Sequence, residues 1–279
     1  MSERQRAFEA ELAGTLREER DVDLVRINLI GLSTIVRKEV RRILRIWVQT
    51  IIPPAITMTL YFIIFGSLIG RRIGDMDGVP YTTFIAPGLI MMSVITNSFG
   101  NVVSSFFSGK LQLHLEEMLV APLSNVTIIV GYVVGGIVRG LLVGGLVMVV
   151  AMLFTDIYVA HPLVTLTTVL LTAGTFSVAG LINAIYAKTF DDISIIPTFV
   201  LTPLTYLGGV FFSTSLLSPF WQSVAHANPI LYMVNAFRYG MLGTSDVSIG
   251  AAYAIMGGSF AALFVLAIVL LNRGTGIRH

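Results

Sequence analysis

The sequence predicts an all-α integral membrane protein: six transmembrane helices, an amphipathic helix ahead of the first, and two short helices between the fifth and the sixth. Three observations carry this. Only 12% of the 279 residues are charged and 55% are hydrophobic, whereas a soluble domain has about a quarter of its residues charged. The apolar residues fall in uncharged runs long enough to cross a bilayer, which takes about 20 residues of helix. The remaining charges sit mostly between those runs or at the chain ends, and a chain of this length is too short to bury so many apolar runs without lipid.

Residues 1–23 mix both signs, with Arg4, Arg6, Arg17 and Arg20 against Glu3, Glu9, Glu11, Glu18, Glu19, Asp21 and Asp23. A secretory signal is basic, then apolar, then cleavable. This order is missing, and residues 1–27 read as a polar extension, a solvated helix or disordered tail. Residues 28–45 form the first predicted structured helix. Leu32, Val36, Val40, Ile43 and Trp47 recur on one face, with Arg37, Lys38, Arg41, Arg42 and Arg45 opposite. A basic amphipathic helix of this kind lies on a membrane surface. Beside the first span it also holds that side cytoplasmic. The basic cluster runs straight into a span, so nucleic acid is a poor partner for it.

The predicted spans cover residues 46–70, 81–107, 126–154, 163–187, 193–212 and 251–271. Pro53 and Pro54 should kink the first or end a short opening segment, and Pro87 and Gly88 interrupt the outer end of the second. Residues 110–123 read as a short amphipathic helix, with Leu111, Leu115, Met118 and Pro122 on one side and Glu116 and Glu117 away from them. In the third span Gly131, Gly135, Gly136, Gly140 and Gly144 form small-xxx-small pairs that let another helix approach closely. Arg139 in the same span is either functional, as intramembrane charges often are, or a structural arginine snorkelling toward the inner leaflet. Pro197 and Pro203 bend the fifth span. Residues 213–243 stay apolar but irregular and read as two short helices, the second capped by Asn228 and opened by Pro229. Backbone that leaves regular helix at membrane depth must find partners in protein or in a water-filled cavity, so this segment lines or caps something.

With both termini cytoplasmic, the inner flanks hold Arg26, Arg37, Lys38, Arg41, Arg42, Arg45, Lys110, Lys188, Arg273 and Arg278, against Arg71, Arg72 and Arg238 outside. That excess of inner cations is the expected bias. There is no GxxxxGK[ST] phosphate loop and no HExxH, and His114, His161, His226 and His279 lack metal-ligand spacing. The predicted spans hold no interior Asp or Glu of the kind that ion-coupled transporters use.

One set of spaced residues resembles a known signature. Leu201, Leu204, Leu207, Gly208 and Val210, then Leu217 and Ser218, then Pro229, Ile230, Tyr232 and Arg238 are similar to the signature of the ABC-2 family, the membrane subunits of bacterial ABC exporters. The likeness extends over residues 45–66, 84–99, 116–122 and 188–213, and covers roughly residues 28–275. It implies the six-helix ABC-2 (type V exporter) fold in a bacterial inner membrane, a dimer of permeases, and two copies of a separate cytoplasmic ATPase that binds ATP and Mg. In this chain it implies no cofactor and no metal. Residues 28–45 correspond to the family's interface helix and residues 110–123 to its coupling helix. The resemblance therefore assigns ATPase coupling to Lys110, His114, Glu116, Glu117, Arg37 and Arg41. The short helices of residues 213–243 correspond to re-entrant helices that close the outer end, with Pro229, Tyr232 and Arg238 at that gate. Pathway candidates from the first, second and fifth spans are Phe62, Phe65, Asn97, Thr202, Thr205 and Tyr206, each with ordinary packing as the competing reading. The expected cargo is an amphiphile, a glycan or a drug-like compound.

Two other classes compete with the exporter permease. A self-sufficient secondary transporter or channel would move its substrate with no ATPase present. An integral-membrane enzyme acting on lipid would need a polar cluster at the boundary, for which Lys188, Asp191 and Asp192 are the nearest candidates; they read as a polar turn.

Overall fold

A computed structural model describes residues 3–274. The elements run α1 (Glu3–Arg45), α2 (Trp47–Ile73), a β-hairpin (Asp75–Met76 with Val79–Pro80), α3 (Tyr81–Leu111), α4 (His114–Val120), α5 (Asn125–Ala151), α6 (Pro162–Tyr186), α7 (Asp192–Leu207), α8 (Pro219–His226), α9 (Pro229–Leu242) and α10 (Ile249–Arg273). Among the described residues, α2, α3, α5, α6 and α10 are long and apolar enough to cross a membrane, and α7 is a shorter apolar helix.

The two ends of this list depart from the expected boundaries. Among the described residues no helix break separates the polar extension from residues 28–45: α1 is continuous from Glu3, in a stretch without proline. The first span keeps its helix through Pro53 and Pro54. These prolines remove the N–H groups that would meet the carbonyls of Gln49 and Thr50, yet the break falls earlier, at Ile46 (φ −103°, ψ 31°). Further along, α2 widens into a π-helical turn over Phe62–Ile69. The fifth apolar helix stops at Leu207, short of the expected residue 212. Gly208 lies against Ile230 so closely that a Cβ would sit 2.7 Å from its side chain, and Gly209 turns the chain at φ +74°. This helix also contains a π turn, Pro197–Leu201.

The bundle is organised around α3, which packs on both α5 and α6 and is buried along most of its length. Helices in lipid gain little from hydrophobic burial against each other and associate through close packing of small residues. The glycines of α5 serve three seams. Gly136, Gly140 and Gly144 face Val102, Ser98 and Val94 of α3, Gly136 also meets Ser177 of α6, and Gly131 and Gly135 face Ile35 and Glu39 of α1. On α6, Gly180 lies against the backbone of α3, where a Cβ would come 2.6 Å from the Phe99 carbonyl oxygen. The apolar core forms two clusters. One surrounds the first half of α3 with α9, through Phe84, Leu89 and Met233; the other surrounds its second half with α1, through Ile35, Phe106 and Leu181.

Helix α1 does not present the expected apolar face. Its buried stripe is Ile35, Glu39 and Ile43. Leu32, Val36 and Val40 are half-buried, and Trp47 at the start of α2 is exposed. Its contacts with α5 advance in step, Asn28 meeting Ser124 and Thr127, then Ile35 meeting Gly131, then Glu39 meeting Gly135. The helix therefore runs alongside the first half of α5 in the same direction, where an independent helix on a membrane surface was expected.

Candidate coupling, pathway and closure sites

Three places in the fold bear on function, and each is built from residues far apart in sequence. The first is the end of the bundle that carries α4. Helix α3 ends at Leu111, and Leu113 adopts the left-handed region (φ 60°) before α4 begins. The break uncouples Leu111 from the phase of α4, so Leu111 and Pro122 are exposed and only Leu115 (buried) and Met118 (half-buried) point inward. His114, Glu116 and Glu117 are exposed on α4, and Arg37 and Arg41 are exposed on α1. Lys110 departs from the expected role. It belongs to α3, and its Nζ donates to the carbonyls of Ile185 (2.9 Å) and Ala187 (2.8 Å), capping the end of α6. The exit of α4 is pinned to α1: Asn28 Oδ1 accepts from Ser124 N (2.8 Å) and from Thr127 Oγ1 (2.7 Å). Ser124 Oγ in turn accepts from Thr127 N at 3.1 Å and opens α5.

Next to this end lies a buried polar joint. Glu39 is fully buried; it pairs with Arg42 Nη2 at 3.1 Å and accepts from Ser105 Oγ. Arg42 Nη2 also donates to Asn101 Oδ1 (2.7 Å) and Asn101 O (3.0 Å). Arg42 thus leaves the solvated basic face on which the sequence places it. Glu39 is missed by sequence reasoning because basic neighbours dominate its surroundings. The available signal was its spacing, four residues from Ile35 and four from Ile43, the periodicity of one helix face. Arg139 follows Gly135 by one turn on the same stripe of α5 and is half-buried.

The second place joins α2 to α7. Tyr61, Phe65, Tyr206 and Phe211 form an aromatic group. Phe65 and Phe211 have ring centroids 4.8 Å apart, Tyr206 stacks on Phe211 at 5.6 Å, and the Tyr61 and Tyr206 hydroxyls are 3.0 Å apart. Both helices carry a π turn nearby, a feature enriched at functional sites. Thr202 is exposed, and its Oγ1 donates to the Pro197 carbonyl at 2.9 Å across the π turn of α7. Asn97 is half-buried and donates to Ser93 O at 3.0 Å. Phe62 and Thr205 do not line a surface. Phe62 is fully buried and stacked on Phe154 at 5.4 Å, and Thr205 is buried with its hydroxyl on the Leu201 carbonyl at 2.7 Å. Both are packing residues. Tyr61 and Phe211 belong to the group and were not legible, since π turns alter which side chains share a face.

The third place fastens the irregular segment. Asn228 caps α9 by accepting from Ile230 N at 3.0 Å, and its amide donates to the Leu204 carbonyl at 2.6 Å. Pro229 opens α9, where its missing N–H costs nothing. Tyr232 donates its hydroxyl to the His226 carbonyl at 3.0 Å, closing the α8–α9 turn. Arg238 is a fully buried strut. It donates to the Gly209 carbonyl at 2.6 Å and lies 4.0 Å over the Phe84 ring. Asn235 Oδ1 beside it accepts from Asp246 N at 3.0 Å, and the Asp246 carboxylate takes Thr214 N (2.9 Å) and the hydroxyls of Ser213 and Thr214 (both 3.1 Å). Asp246 lies outside the recognised pattern and was missed. A buried guanidinium held on a carbonyl, an amide and an aromatic face is rigidly placed.

The turn after α6 is self-contained, with Asp192 Oδ2 accepting from Lys188 N (2.8 Å) and Thr189 N (2.9 Å) while Asp192 N donates back to Thr189 Oγ1 (3.2 Å). These bonds cap α7 and fit a polar turn. Among the described residues no His, Asp or Glu group is arranged to hold a metal ion.

Comparison with known proteins adds the following. Residues 31–242 match the ABC-2 type transporter family. The chain is 54% identical over 249 residues to "Inner membrane transport permease YadH" of Escherichia coli (strain K12), covering 89% of this chain and 97% of that protein. It is 27% identical over 216 residues to "Nodulation protein J" of Rhizobium leguminosarum bv. viciae, covering 77% of this chain and 83% of that protein.

Proposed function

The chain belongs to the ABC-2 type transporter family, and from that premise we propose that it is the permease half of an ATP-driven exporter. It is a multi-pass permease subunit of the inner membrane. In this reading two copies form the pathway, and two copies of a cytoplasmic ATPase bind ATP and Mg and do the work. The termini lie on the cytoplasmic side, six segments cross the membrane, and the helices of residues 213–243 re-enter it from outside.

The observation that carries the proposal is α4. It is a seven-residue helix whose Glu116 and Glu117 are exposed while Leu115 is buried beneath them. It is tied at one end to α3 and at the other, through Asn28, to α1 and α5. A short rigid helix with two exposed carboxylates engages a basic groove of a partner, and its attachments pass a rigid-body movement to the spans. His114, Arg37 and Arg41 are the further exposed contacts. The aromatic group of Tyr61, Phe65, Tyr206 and Phe211 supplies a wall on which the ring or apolar part of an amphiphile, glycan or drug-like cargo stacks. Asn228, Tyr232 and Arg238 hold the outer closure.

The test is charge reversal, Glu116→Arg with Glu117→Arg. Expected is loss of ATP-driven export from cells, with the subunit still inserted and monodisperse after extraction. Export at the wild-type rate from that variant would remove α4 from coupling. Gradient-driven flux through reconstituted chain with no ATPase present would replace the exporter reading with a secondary transporter or channel.

A further inference from the structure

The polar joint between α1 and α3, beside α5, does not balance its charges. Glu39 is answered by Arg42 at 3.1 Å, while Arg139, one turn beyond the Gly135 that accommodates Glu39, has no carboxylate. Among the described residues no hydrogen bond or ion pair reaches its guanidinium, and its Nε is buried. The Nε of Arg42 is likewise buried without a partner. Of these two guanidiniums only that of Arg42 meets a carboxylate. An uncompensated arginine inside a bilayer is costly, and it is relieved by an anion or by reaching toward the headgroups. The side chain is half-buried, so a ligand can approach it.

What approaches is set by the surroundings. Lys38, Arg41 and Arg45 are exposed on α1, the helix that packs on this stripe of α5. Basic segments beside a membrane gather anionic lipid, and basic pockets between membrane helices hold lipid headgroups. We propose that Arg139 binds the phosphate of an anionic phospholipid in the leaflet that borders α1. The basic face of α1 concentrates such lipids at the seam. The lipid phosphate supplies the negative charge that the protein omits at the seam where Glu39 packs on Gly135 one turn earlier. The proposal does not rest on the exporter reading, because it concerns the isolated chain and its lipid.

The test uses the purified full chain in neutral detergent, with native mass spectrometry to count retained lipids. Phosphatidylglycerol, phosphatidylethanolamine and inorganic phosphate are added in turn. Expected is preferential retention of phosphatidylglycerol, not displaced by phosphate, and a loss of about tenfold in its affinity in Arg139→Gln, the size of one charge-assisted pair. Arg139→Lys should keep part of the preference, and Arg71→Gln all of it. Equal retention of both lipids by the wild type would overturn the proposal. So would an Arg139→Gln variant that retains phosphatidylglycerol as the wild type does. Displacement by phosphate alone would reassign Arg139 to a free anion, such as the headgroup of a cargo. If Arg139→Gln does not fold, the wild-type lipid preference, its resistance to phosphate and the Arg139→Lys variant still decide.

Discussion

Truncating Glu39 to alanine would leave Arg42 with Asn101 and Ser104 as its remaining partners and Ser105 with no carboxylate to meet. Breaking a buried ion pair from one side costs about 3 to 5 kcal/mol, whereas replacing both members by apolar groups of similar volume is often neutral. Arg42 is partly exposed, at 22% of its side chain, so the lower part of that range applies. Glu39→Ala should therefore lower the thermal unfolding midpoint of the purified chain more than Glu39→Met combined with Arg42→Met. A double variant that loses as much as Glu39→Ala or more would show that the unpaired Arg42 is not what costs the stability. The residue-level reading of α1 also shows where sequence reasoning stops. A basic run hides a single buried acid, and the choice among helical stripes separated by one residue depends on what lies opposite. Here that is Gly131 and Gly135, whose missing side chains admit Ile35 and Glu39.

At the scale of elements, the glycine spacing was legible and its partners were not. The small-xxx-small pairs of α5 predict close approach, but three helices, α1, α3 and α6, use them, which no single-helix pattern separates. The strength of such a seam can be read at α6, where a methyl added to Gly180 meets the backbone of Phe99 at 2.6 Å and cannot push it aside. Gly180→Ala should destabilise by about 1 to 3 kcal/mol through overpacking. Gly100, in α3, faces open space, so Gly100→Ala should be stabilising by about 0.5 to 1 kcal/mol from helix propensity. Opposite shifts of the unfolding midpoint are expected, and a stable Gly180→Ala would show that α3 and α6 have freedom to separate. The end of α7 falls at Gly208, packed on Ile230, and at Gly209, which takes a positive φ, while α4 starts after Leu113 in the left-handed region. The packing of Gly208 depends on a residue 22 positions away, which local sequence does not show.

For the whole molecule, the proposed dimer asks which exposed apolar face would meet lipid and which a second copy. The outer face of α10 is aliphatic, with Val265, Leu266 and Val269 exposed, and suits hydrocarbon. The face shared by α2 and α7 mixes exposed Phe199 (74%), Val200 and Tyr206 with the hydroxyl of Thr202 and the paired hydroxyls of Tyr61 and Tyr206. Polar groups of this kind are disfavoured against lipid tails and mark a protein interface or a wetted pathway. The α2–α7 face is therefore where two copies should meet, with the aromatic group beside the pathway between them. The chain has no cysteine, so single cysteines can be placed without background. Phe199→Cys should give a covalent dimer on mild oxidation in native membranes, and Val265→Cys on α10 should remain monomeric under the same treatment. Dimers through Val265→Cys alone would put the partner on α10 and leave the aromatic group facing lipid, which would also remove it from the transport pathway.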